Sequence, residues 1–249
     1  MLFADKSAVR PWQPCIFDGT GLPYHRIIAA MHHIYNAGDS RRTRTAMQPS
    51  ESNQWRHDMH EPLPDGGMIR KLWISETDAY RDHLLRLDPE SRHRRFSGAV
   101  SDEFIASHAS LATGLSVVVH GFFVDGILRG AAELRRLGSL LIREGEAAFS
   151  IEQPWQSHGV GTVLLERTLL SARNRGIKSL QMHCLADNQR MQQLARKFEA
   201  DLKFDFGSVV GEVDPPRYTP MSLLREAVVD AHGVANAILD VQSRIFRPA

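Results

Sequence analysis

The chain has 249 residues, 43% of them hydrophobic and 24% charged, with a formal net charge of +1. That is enough apolar sequence for one sizeable core, and the near-neutral balance argues against nucleic acid or an anionic membrane surface as partner. Two cysteines far apart, Cys15 and Cys184, argue against a disulfide framework. With no apolar run of transmembrane length and no signal-peptide pattern, a cytoplasmic protein is expected.

Residues 1 to 67 read as a polar N-terminal extension, largely disordered. Tyr24-His-Arg-Ile-Ile-Ala-Ala-Met-His-His-Ile-Tyr35 has the makings of a short helix, but residues 38–67 are polar, with Pro49, Pro62, Pro64 and a Gly66-Gly67 pair. Met47, Met59 and Met68 are alternative starts. Next come Met68-Ile-Arg-Lys-Leu-Trp-Ile-Ser75, residues 76–87, with Ser75 or Thr77 as a cap, and residues 88–96, which read as a strand, a helix and a short helix through their resemblance to a family whose pattern is set by the turn further along the chain. Val117-Val-Val-His-Gly-Phe-Phe-Val124 and Ile127-Leu-Arg-Gly-Ala-Ala-Glu-Leu134 flank Asp125-Gly126, a dipeptide that favours a primed hairpin turn.

Glu146-Ala-Ala-Phe-Ser-Ile-Glu152 has strand composition, and Pro154 ends its ladder. After the turn Gln156-Ser-His-Gly-Val-Gly161, Leu165, Leu169 and Ala172 recur at helical spacing, and Gly176 stands where a C-cap glycine belongs. Lys178-Ser-Leu-Gln-Met-His-Cys184 alternates like a second strand, which completes a β-turn-α-β unit. An Asn188-led helix follows, Asp214-Pro-Pro216 breaks the sheet, and residues 221–245 form an amphipathic C-terminal helix. Its apolar face is expected to pack on its own domain or to form a homodimer.

The turn is built to hold a pyrophosphate: two glycines admit a close anion, and the helix they open directs free N–H groups at it. A P-loop is excluded, because no Lys-Ser/Thr follows the last glycine. A dinucleotide fingerprint needs a third glycine and an acidic residue about 20 positions on; Leu180 and Gln181 occupy that region, with Asp187 slightly beyond. The remaining pattern, Gln156-x-x-Gly159-x-Gly161 after a strand, resembles the pyrophosphate loop of the GNAT superfamily of acyl-CoA-dependent N-acyltransferases. The resemblance covers roughly residues 69 to 213. Residues 76–96, and the stretch from Glu146 to Gly161, look like the acetyltransferase domain of bacterial protein-lysine acetyltransferases.

That resemblance implies an α/β (α+β) fold: a mixed, mainly antiparallel central sheet flanked by helices over residues 68 to 213, with helical residues 214 to 249 appended. It implies acetyl-CoA as acyl donor and a primary amine, on a protein lysine or a small molecule, as acceptor. The cofactor would be bound by Phe149, Ser150, Ile151, Gln156, Ser157, His158, Gly159, Val160, Gly161, Thr162 and Asn188, with backbone N–H groups near Ser150 and Ile151 polarising the thioester carbonyl. In the family a strand bulge usually splays two strands around pantetheine here.

An amine with a pKa near 10.4 costs about 4 to 5 kcal/mol to present neutral at pH 7, so a nearby carboxylate is needed as base. Glu146, ten residues before Gln156, matches the position of the family's catalytic glutamate, and period-two geometry puts it on one face with Ala148 and Ser150. Glu133 and Glu152 are alternative bases, and all three have a competing reading as solvated strand residues. The tyrosine that many family members place after the asparagine-led helix is missing; Phe198 and Phe204 stand there. A catalytically degenerate CoA-binding regulator therefore stays open as an alternative, and a dinucleotide-binding protein is a third reading.

Asn188 fits a helix cap as well as a cofactor contact, Cys184 reads as a small hydrophobe, and Arg92-His-Arg-Arg95 reads as a solvated face or, near the acceptor cleft, as a run favouring an acidic substrate. Neither His57-Asp-Met-His60 nor His32-His33 has the further ligands of a tetrahedral site, so no metal is expected.

Overall fold

The computed structural model describes residues 63–112, 117–137 and 143–245. Apart from residues 63–67, the expected N-terminal extension and its histidine pairs lie outside them.

Seven strands form one sheet: β1 (Met68–Lys71), β2 (Val117–Val124), β3 (Ile127–Leu137), β4 (Glu144–Ile151), β5 (Ser179–Leu185), β6 (Asp201–Asp205) and β7 (Ser208–Val213), in the order β1-β2-β3-β4-β5-β7-β6. Every pairing is antiparallel except β4 with β5. This is the mixed, mainly antiparallel sheet expected. The β2–β3 turn is a primed one, with φ of 49° at Asp125 and 68° at Gly126.

Three helices precede the hairpin: α1 (Thr77–Arg86), α2 (Pro89–Phe96) and α3 (Asp102–Ala112). Neither Ser75 nor Thr77 caps α1 through its side chain; Glu76 holds the cap position, and the Thr77 hydroxyl donates to the Ile74 carbonyl at 3.1 Å. Asp88 caps α2, accepting from the Ser91 amide at 2.9 Å. Tyr80, Leu84 and Leu87 recur at helical spacing and are buried with Ile105, Ala109 and Ala112 of α3 against Val119, Phe123 and Leu128 of the sheet.

On the opposite side, α4 (Val160–Asn174) buries Leu165, Leu169 and Ala172 against Leu134, Ala147 and Leu180, and Val160 and Leu164 against Phe122 and Ala132. Gly176, at φ 70°, ends it, with the Ile177 amide returning to the Ala172 carbonyl at 3.0 Å. A short α5 (Gln189–Lys197) follows β5.

The C-terminal helix α6 (Pro220–Ile245) packs on its own domain. Its Glu226 accepts from Lys71 of β1 at 2.6 Å and from Ser171 and Asn174 of α4 at 2.7 and 2.6 Å. Met221, Leu224, Val228 and Ile238 stay exposed. No helix among the described residues is long and apolar enough to cross a membrane.

Candidate active site

Strand β4 pairs with β3 along its whole length, but with β5 only through Glu144, Gly145 and Glu146. Past Glu146 the two strands part, which leaves residues 147–151 with an unpaired edge. The β3–β4 register is unbroken, so the opening forms without the bulge expected in β4. The irregularity lies instead between Phe122 and Phe123 of β2, opposite Arg129.

Two hydrogen bonds settle which main-chain groups face the opening. The Arg143 carbonyl accepts from Lys178 on the β5 side, and the Glu152 amide donates to Arg129 on the β3 side. Strand alternation then turns the backbone of Ala147, Phe149 and Ile151 toward the opening and that of Ser150 toward β3. Of the amides expected to polarise the carbonyl, that of Ile151 faces the opening and that of Ser150 is turned away; the Phe149 amide also faces the opening.

The turn closes one end of this edge. After a 3-10 turn at Gln153–Trp155, Ser157 and Gly159 take left-handed conformations, φ 64° and 80°, and α4 starts at Val160. Ser157, His158 and Gly159 are exposed, while Val160 and Thr162 are buried. The Val160 and Gly161 amides have no intrahelical partner and, with Thr162, whose amide donates to the Gly159 carbonyl at 2.9 Å, carry the positive end of the helix dipole. A Cβ at Gly161 would meet Leu194 and Ile151 at 3.5 and 3.6 Å, ordinary contact distances, so packing within the chain does not demand glycine there.

Gln156 is more than a surface residue. Its amide donates to the Ile151 carbonyl at 2.8 Å and to Ser91 of α2 at 3.0 Å, and its oxygen accepts from Arg190 of α5. Lys197 of α5 reaches Thr162 at 3.4 Å. Arg94 of α2 lies 3.6 Å from Asp187, beyond β5, so α2 is tied to both sides of the opening. Asn188 caps α5, accepting from Met191 at 3.2 Å.

At the other end of the edge stands Glu146, half-buried beside Arg135 of β3 and Gln181 of β5. Its carboxylate makes no hydrogen bond or ion pair among the described residues. The face it shares with Ala148 and Ser150 is the one covered by α1, since Ser150 Oγ meets His83 of that helix at 2.9 Å.

The alternative bases are committed elsewhere. Glu133, only 4% exposed, accepts from Tyr80 at 3.0 Å, from Arg95 and His108 at 2.9 Å and from Arg135 at 2.6 Å. Burial alone would raise its carboxyl; the hydrogen bond and charge of His108, with Arg95 and Arg135, hold it well below the usual range. Glu152 is ion-paired to Arg86 at 3.0 Å and Arg129 at 2.9 Å and bonded to His83 at 3.2 Å, which outweigh its burial and lower it too. Neither is the solvated residue its strand position suggested.

Arg95 is buried against Glu133, while Arg92 pairs with Asp102 and Arg94 with Glu90; the basic run is a set of ion pairs rather than a free patch. Cys184 is buried, and burial followed by the Asp187 charge pushes its thiol up to about 11, as suits an inert hydrophobe. His83 was not singled out from sequence. The available signal was a lone imidazole beside Tyr80, Leu84 and Leu87 in the apolar stripe of α1.

Residues 68–199 match the model of the Acetyltransferase (GNAT) family, and the chain belongs to that family. It is 27% identical over 173 residues to Acetyltransferase PA5475 of Pseudomonas aeruginosa, a match spanning 66% of this chain and 87% of that protein. The fold is similar to the GNAT domain of S. lividans PAT, with a TM-score of 0.53 and 22% identity over 59% of this chain and 90% of that one.

Proposed function

We propose that this chain transfers an acetyl group from acetyl-CoA to a primary amine by direct attack on the thioester, with Glu146 as the base. The observation that carries the reading is the parting of β4 and β5 immediately after Glu146. It joins, on one strand, a half-buried carboxylate without a partner among the described residues, two outward amides and an anion-holding turn. The turn from Gln156 to Thr162 would hold the pyrophosphate, and Asn188 would border it. Phe149 and Ile151 amides would polarise the carbonyl, and Glu146 would take the ammonium proton directly or through one water. The departing thiolate, with a pKa near 8.5, is protonated by solvent or by that proton.

The similarity of residues 76–96 and 146–161 to protein-lysine acetyltransferase domains supports a protein lysine as acceptor, with a small amine as the other candidate. The test is Glu146→Gln against a panel of amines and lysine peptides. Turnover should fall about 100-fold at pH 7 while acetyl-CoA affinity stays within about twofold, and the deficit should narrow as pH approaches the amine's own pKa near 10.4. Equal turnover at every pH would remove Glu146 from the role. Binding without thiol release from any acceptor would favour the non-catalytic CoA-binding alternative.

A further inference from the structure

Strand β4 and its end carry a second constellation, one that direct transfer does not use. Ser150 Oγ lies 2.9 Å from His83 Nε2, and His83 Nδ1 lies 3.2 Å from Glu152 Oε1. All three are buried: His83 at 0%, Ser150 at 6% and Glu152 at 7% exposure. Arg86 and Arg129 on the Glu152 carboxylate keep it ionised and therefore an acceptor only. Nδ1 must then carry the imidazole proton, and the Nε2 lone pair faces the Ser150 hydroxyl. Burial keeps the imidazole below its ordinary value, so it is neutral at pH 7. Hydroxyl, base and orienting carboxylate thus stand in the hydrogen-bonding order by which a serine is activated as a nucleophile.

Ser150 also belongs to the open stretch of β4. The outward amides of Phe149 and Ile151 flank it, and adjacent Cα atoms are about 3.8 Å apart. A thioester carbonyl accepting from either amide would therefore lie beside Ser150. Resting on the acyl-CoA reading above, we propose that Ser150 is a second acyl acceptor, through which the protein hydrolyses acyl-CoA when no amine is bound. Ser150 Oγ forms an ester to the acyl carbon as the carbon–sulfur bond breaks, its proton passing through His83 Nε2 to the leaving thiolate. Water then attacks the ester with His83 as base, releasing the carboxylic acid and restoring the hydroxyl.

The experiment incubates the full-length protein with acetyl-CoA and no amine, follows thiol release, and maps acid-quenched peptides by mass spectrometry. Calorimetry with CoA is run in parallel. Expected are thiol release above the solution rate, an acetyl group on the Ser150 peptide, and release about 100-fold slower in Ser150→Ala, rates being normalised to the fraction of protein that binds CoA. Wild-type protein that binds CoA but releases no thiol overturns the proposal, as does Ser150→Ala releasing thiol at the wild-type rate. If Ser150→Ala does not fold, the wild-type peptide map decides, and release without the Ser150 adduct overturns it. Failure to bind CoA at all would instead refute the reading on which this rests.

Discussion

Replacing Glu133 with Gln should destabilise the domain more than any change of similar size on its surface. The substitution keeps the side-chain volume and one acceptor oxygen, but it removes the charge facing Arg95, whose side chain is only 5% exposed, and Arg135, at 16%. Removing one partner of a buried ion pair costs about 3–5 kcal/mol. The retained amide oxygen and the partial exposure of Arg135 place the expected loss at the lower end, about 3 kcal/mol. In a domain of this size that is a drop in Tm of about 6–12 °C, read by circular dichroism at pH 7. The difference should depend on acid in one direction. Glu133 has its carboxyl lowered from the ordinary value of 4.5 in the folded state, so its stabilisation is complete above that value and is lost as pH falls toward the folded one. Wild type and the Glu133→Gln variant should therefore converge as pH is lowered below about 4.5. A Tm difference under about 2 °C at pH 7, or one that grows on acidification, would refute the reasoning.

Glu226→Gln should loosen α6 locally, by about 1–3 kcal/mol, because this carboxylate, held at about 2 by Lys71, Asn174 and Ser171 against its burial, is the polar anchor of the helix. Amide exchange should rise in α6 while β2 and β3 keep their protection, and unchanged exchange in α6 would refute it. Gln156→Ala removes two donated bonds, to the Ile151 carbonyl and to Ser91, worth about 1 kcal/mol each. If both serve only to hold the turn in its binding shape, the Kd for acetyl-CoA rises by up to about thirtyfold; a change under twofold by calorimetry would leave Gln156 without that role.

The parts of the site legible in the sequence are those written in consecutive residues. Strand composition before Pro154, two glycines, and an apolar stripe ending at Gly176 define β4, the turn and α4 without reference to the rest of the chain. What escaped depends on partners far away. Glu133 and Glu152 alternate along their strands like solvent-facing residues, yet Tyr80, 53 positions upstream, and His83, 69 positions upstream of Glu152, are what they meet. Helix α3 went unread because small residues and His108 dilute its apolar stripe, and His108 is the member that reaches Glu133. The availability of individual amides was equally hidden: composition marks a strand, but only its pairing shows that the Ser150 amide faces β3.

Those distant contacts also sharpen the choice among the three glutamates. A base for an ammonium proton must be within reach of the acceptor and must not have its negative charge already neutralised. Glu133 and Glu152 fail on the second count, each carboxylate being held by two arginines and a histidine. Glu146 shares a sheet face with Ser150 and lies where β4 leaves β5, and its carboxylate has no partner among the described residues. We therefore propose it as the base on grounds independent of its distance from the turn. Helices α1, α2 and α3, together with Arg129 and Arg135 of β3, supply the groups that neutralise Glu133 and Glu152, so that of the three glutamates Glu146 alone is without such partners among the described residues.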